Sequence, residues 1–101
     1  MERRGMIHIG FGNYVPADRI VGVITPNSSP MRRLRSEAKD DHRLVDATQG
    51  KRTRSVIVTD SNHLILSTVL AETLAQRYIT ASKELGPRTR TGGAVKEGEE
   101  D

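Results

Sequence analysis

Ser55-Val56-Ile57-Val58-Thr59 is β-branched at four of its five positions. It is the strongest strand signal in the chain, and it commits the fold to a sheet. Just upstream, Leu44 to Thr48 is short and mostly apolar or β-branched, which predicts a second strand. Between the two, Gln49-Gly50 reads as a turn, because glycine takes the positive φ that a tight connection needs. Downstream, Asp60-Ser61-Asn62 is another turn and His63-Leu64-Ile65-Leu66-Ser67 another strand. The expectation is a three-stranded antiparallel meander from Leu44 to Ser67, with a hairpin tip at Gln49-Gly50.

The earlier part of the chain adds strand signals. Met6-Ile7-His8-Ile9 reads as a short strand, and Gly10-Phe11-Gly12-Asn13 as a turn or loop. Pairing resumes at Tyr14-Val15 and stops at Pro16. Ile20-Val21-Gly22-Val23-Ile24 is uniformly small or apolar and predicts a buried strand. Ser29 followed by Pro30 marks a helix start: a hydroxyl cap, then proline where a missing N–H costs nothing. The helix runs to about Asp40 or His42, with Met31, Leu34 and Ala38 facing inward. A second helix begins near Leu70, with Ala71, Leu74, Ala75, Tyr78, Ala81 and Leu85 on one stripe. Gly86-Pro87 ends it. The fold class is α+β, a small antiparallel sheet with two helices. Residues 1–5 read as an extension, 6–85 as the domain, and 86–101 as a disordered tail ending in acidic residues.

Composition limits how such a domain is stabilised. The chain of 101 residues has one Phe, two Tyr, no Trp and no Cys. A core with so few large side chains is thin, and disulfides cannot reinforce it. Self-association is the remaining common device, so a homo-oligomer is expected. No apolar run approaches membrane-span length, and the expected location is cytoplasmic and nucleoid-associated.

Charge points to the partner. The net charge is +3, yet Arg32 to Arg54 alone hold eight cations and four anions. That concentration favours an anionic partner such as nucleic acid. Lys51, Arg52 and Arg54 follow the Gly50 turn, and a strand needs none of them for its own stability. They are either a solvated tip or an anion-contacting ridge. Arg32 and Arg33 lie in the first turn of the predicted helix, where the helix dipole disfavours cations, and Arg35 shares a second stripe with Arg32, Lys39 and Arg43. Such an N-terminus suits a bound phosphate, while a solvated face with an Arg33–Glu37 pair accounts for it equally well. Arg19, at the foot of a strand, either joins the basic surface or pairs with a carboxylate. No nucleophile motif, phosphate-cradling glycine loop or zinc signature is present. His8, His42 and His63 are scattered. The expectation is a non-enzymatic protein with no cofactor and no metal. Scarce aromatics argue against single-stranded RNA.

Several strings together carry a resemblance: Ile9-Gly10-Phe11-Gly12-Asn13, Arg19-Ile20, Ser28-Ser29-Pro30, Asp46-Ala47-Thr48-Gln49-Gly50-Lys51-Arg52-Thr53-Arg54 and Asp60-Ser61-Asn62-His63. The chain resembles the RemA family of bacterial extracellular matrix regulatory proteins over roughly Met6 to Tyr78. The resemblance implies a LytTR-like α+β fold, assembly into a ring-shaped homo-oligomer, and DNA-binding transcriptional activation of biofilm-matrix genes. It implies double-stranded DNA contacts at Arg19, Lys51 and Arg52, with Lys51 standing where the family often has Arg. The rival readings are a non-enzymatic scaffold and a structured-RNA-binding protein using the same basic surface.

Overall fold

The computed structural model describes residues 5–84. Residues 1–4 of the expected extension 1–5, and all of the expected tail 86–101 with its Gly86-Pro87 stop, lie outside the described residues. Strands β1 (Met6–Gly10) and β2 (Asn13–Pro16) form an antiparallel hairpin. A single 3-10 turn, Ala17–Arg19, leads into β3 (Ile20–Ile24). Helix α1 (Ser29–Asp40) follows, then β4 (Leu44–Asp46), β5 (Ser55–Thr59), β6 (Leu64–Ser67) and helix α2 (Ala71–Glu84).

The main sheet has the order β3-β5-β6-β4. β5 pairs antiparallel with both β3 and β6, but β4 pairs parallel with β6. The sheet is therefore mixed, not antiparallel. The expected meander is corrected accordingly: β4 and β5 are neighbours in sequence but not in the sheet. The Gln49-Gly50 turn exists, yet it belongs to a connection that passes over the end of β6. The hairpin of this region is β5–β6, closed at Asp60-Ser61-Asn62.

β5 occupies the inside of the sheet because both of its faces are covered, which is why its sequence is apolar without alternation. Val56 and Val58 point to α1, packing with Met31, Ala38, Leu44, Leu64 and Leu66. Ile57 points to the opposite layer, formed by the β1–β2 hairpin and α2, with Ile7, Ile9, Val15, Leu74 and Ala81. Burying such aliphatic side chains stabilises the fold by roughly 1.5–3 kcal/mol each.

Three details differ from the sequence expectations. β3 is an edge strand, not a buried one: a register shift between Ile20 and Gly22 turns Val21 outward, 69% exposed. The cap of α1 is Ser28, not Ser29; its Oγ accepts the Met31 amide at 3.2 Å, and Pro30 sits in the first turn. Both helices are rotated from their predicted stripes. On α1, Leu34 is largely exposed, while Arg35 is half-buried between Met31 and Ala38. On α2, Leu74 and Ala81 are buried, but Ala75 and Tyr78 are exposed. Arg77 takes the inward position and donates from Nη1 to the His8 carbonyl at 2.7 Å. Long cationic side chains can lie along an apolar layer while their heads find an acceptor, and apolar-stripe counting misses this.

Candidate nucleic-acid interface

The segment between β4 and β5 is shaped by its first residues. Asp46 Oδ1 accepts from both the Thr48 amide at 2.9 Å and the Thr48 hydroxyl at 2.6 Å. These bonds, the hydroxyl first, hold the Asp46 carboxyl below its ordinary value, with the Arg35 charge adding to them and desolvation opposing. Thr48 itself is buried. Gln49 and Gly50 then take φ of +52° and +81°, and the Lys51 amide donates to the Thr48 carbonyl at 3.0 Å. Two successive positive φ values with that bond describe a tight type I′-like turn. The segment is pinned on both sides of β6: the Ala47 amide donates to the Leu66 carbonyl at 3.1 Å, and the Arg54 amide to the Ser67 carbonyl at 2.8 Å.

Lys51, Arg52 and Arg54 are exposed on this braced segment. Among the described residues their side chains make no hydrogen bond or ion pair. The first turn of α1 lies at the same end of the sheet, because β3 ends there at Ile24, opposite Val56. Arg32 and Arg33 are exposed there. Arg32 folds back toward the Asn27 carbonyl and Ser29 Oγ, each at 3.3 Å. Among the described residues no ion pair joins Arg33 and Glu37, the pairing that the solvated-face alternative offered. Arg32 and Arg35, with Lys39 and His42, line an open concavity of about 820 Å³ that Leu44, Leu66 and Asp46 also border. Arg43, past the end of α1, is drawn away by the Asn62 carbonyl and Asp41.

Six of the seven predicted cations thus gather at one end. Arg19 does not join them. It sits beside Thr59 at the other end of β5, where its Nη1 meets Asp60 Oδ2 at 3.3 Å. Five strand residues separate the two ends, roughly 14 Å at ~3.4 Å per residue. Sequence spacing gave no sign of this, since the separation follows from strand direction. Sequence reasoning also passed over Asp46 and Thr48 as shape-determining residues. The pattern of Asp followed two residues later by Thr is an Asx-turn signal that would have found them.

These features define a small basic α+β protein with its cations presented on an ordered loop. The chain belongs to the RemA-like family, described as extracellular matrix regulatory protein A-like, which it matches over residues 6–78. It is 60% identical over 79 residues to a protein of Oleidesulfovibrio alaskensis, covering 78% of this chain and 94% of the relative. It is 54% identical over 84 residues to one from Maridesulfovibrio salexigens, covering 83% and 98%. A Thermotoga neapolitana protein is 48% identical over 88 residues, covering 87% and 96%. All three relatives carry the name "Putative regulatory protein". Among the described residues no helix is long and apolar enough to cross a membrane.

Proposed function

We propose that this regulatory-family protein binds duplex DNA through Lys51, Arg52 and Arg54, assisted by Arg32, Arg33 and Arg35, and acts as a transcriptional regulator. The observation that carries this reading is that three exposed cations, without partners among the described residues, stand on a loop held at both ends. A folded chain gains nothing from bracing unpaired charges, whereas a phosphate partner gains a prearranged site. The family's description supports extracellular-matrix genes as the targets.

The assembly we propose is a ring of identical subunits. Both edges of the main sheet support it. On β3, Val21 is 69% exposed, and on β4, Val45 is 46% exposed. Open edges with apolar side chains are templates for pairing. Two different edges on one subunit suit head-to-tail contacts, which close into rings when the rotation permits. Arg19, at the far end of the sheet, then reaches DNA from a different subunit than the loop it complements.

The test is a titration of the chain against duplex DNA, duplex RNA and heparin across a salt series. Preference for DNA over both competitors is expected. Arg52→Ala should weaken binding to all duplex sequences and reduce the salt slope by about 1. Equal affinity for heparin and DNA would favour an acidic protein partner and remove the DNA reading.

A further inference from the structure

The β1–β2 hairpin ends in a feature that folding does not explain. Gly10 stands opposite Asn13, and the two residues between them, Phe11 and Gly12, have φ of +53° and +75°. A two-residue turn of this kind takes Asn or Asp first and Gly second. Gly12 fits; Phe11 does not, because the left-handed region is costly for a bulky L residue. Of the four non-glycine residues with positive φ among those described, Phe11 alone is apolar. Core packing does not offset the cost, since the residue is 47% exposed.

The tip is nevertheless held firmly. The Gly12 amide donates to His8 Nε2 at 3.2 Å, and the Asn13 side-chain amide to the Gly10 carbonyl at 3.1 Å. Gly10 lies so close to the main fold that a Cβ there would come within 2.9 Å of Thr68 Oγ1. Ser67 fixes its position relative to the cations. Ser67 Oγ donates to the Ile9 carbonyl at 2.8 Å, while the Ser67 carbonyl accepts from Arg54. One residue therefore ties the aromatic tip and the basic loop to the same end of the molecule.

We propose that Phe11 is a wedge that inserts between adjacent bases of the duplex held by Lys51, Arg52 and Arg54. The proposal rests on the DNA-binding reading and adds to it a source of sequence preference. Apolar wedges unstack and kink DNA, most easily at flexible pyrimidine–purine steps. A second copy of the chain docking face to face on this tip would bring its own exposed cations against these, which disfavours self-association there.

Phe11→Asn separates folding from function, because Asn is the residue that the turn prefers. The variant should melt at a higher temperature than the natural chain. Its affinity for a long mixed-sequence duplex should fall on the order of tenfold, the loss typical of one stacking aromatic. Its salt slope should stay unchanged, because no phosphate contact is removed. With 2-aminopurine placed at TpA steps, the fluorescence rise of an unstacked base should appear with the natural chain and vanish with Phe11→Asn. Natural affinity and natural fluorescence in the variant would overturn the wedge while leaving DNA binding intact. A smaller oligomer in sedimentation without DNA would overturn it in favour of an assembly contact. If the natural chain itself binds no duplex, the parent reading fails and the wedge fails with it.

Discussion

Asp46 carries no part of the basic surface, yet the loop's shape depends on it. Removing its carboxylate leaves the Thr48 amide and hydroxyl without their acceptor, and Thr48 is buried. Asp46→Ala should cost about 1–3 kcal/mol in denaturant unfolding and weaken DNA binding although every cation remains. Undiminished binding would show that the loop needs no brace. The pH dependence has a definite sign. The folded carboxyl lies below its ordinary value of 3.8, so its contribution is fully present above that value. It is lost as the pH falls through the depressed folded value. Acid melting curves of Asp46→Asn should lack this component. A natural chain whose acid sensitivity matches the variant's would contradict the assignment.

Helix α1 ends in a way the sequence partly disguises. His42 has φ of +59°, its amide donates to the Lys39 carbonyl at 3.2 Å, and the Arg43 amide donates to the Ala38 carbonyl at 2.7 Å. This is a Schellman cap with histidine where glycine is usual. His42→Gly should therefore stabilise the chain by roughly 0.5–1 kcal/mol, seen as a raised urea midpoint. A lowered midpoint would mean that the imidazole contributes packing not visible in the cap. At this scale the sequence was a good guide to element positions. β-branching located β5, and the Ser-Ser-Pro string located the start of α1 to within one residue. Which elements touch was less legible. Met31, Leu34 and Ala38 lie on an apolar stripe, but Arg35 can occupy the same face with its aliphatic stem. An all-apolar β3 reads as buried, whereas a bulge places Val21 outside. The glycine turn was right and its pairing wrong, because pairing is decided by Leu64, Ile65 and Leu66, residues far from the turn.

Across the molecule, six candidate cations share one end with Phe11, and Arg19 marks the other. The candidate site was legible as a list of residues but not as an arrangement, since the polarity of each strand is a tertiary property. One subunit offers a few phosphate contacts, and such contacts alone give dissociation constants of roughly 10⁻⁴–10⁻⁶ M at physiological salt. In the proposed ring, repetition of the same surface would raise avidity by about 10²–10⁴. Affinity should thus rise steeply with duplex length. A variant with Val21→Lys on the β3 edge should sediment as a smaller species and lose that length dependence while keeping all its natural cations. Tight binding of a short duplex by the dissociated variant would refute the multivalent mechanism. Among the described residues the buried core clusters run from Ile7 to Ala81, and a chain ending at Leu85 should melt at nearly the same temperature as the full one. A large drop would place part of the tail in the core.

The parallel pairing of β4 with β6 sets an order on folding. The β5–β6 hairpin forms from neighbouring residues, and such local closure is fast. β4 has no partner until that hairpin exists, because the strand that receives it is the hairpin's outer member. The loop acquires its Ala47 anchor on β6 only when β4 docks, whereas its Arg54 anchor adjoins the Ser55–Ser67 pair of the β5–β6 hairpin. A newly made or partly opened chain therefore carries every cation of the site without the loop's full shape, and under the proposed function only a finished subunit would engage nucleic acid. In native-state hydrogen exchange the amide of Ala47 should open together with those of β4, at lower free energy than Val56 to Val58, while that of Arg54 should follow the β5–β6 hairpin. Protection of Ala47 matching that of β5 would show that the strand docks early and that the order is otherwise.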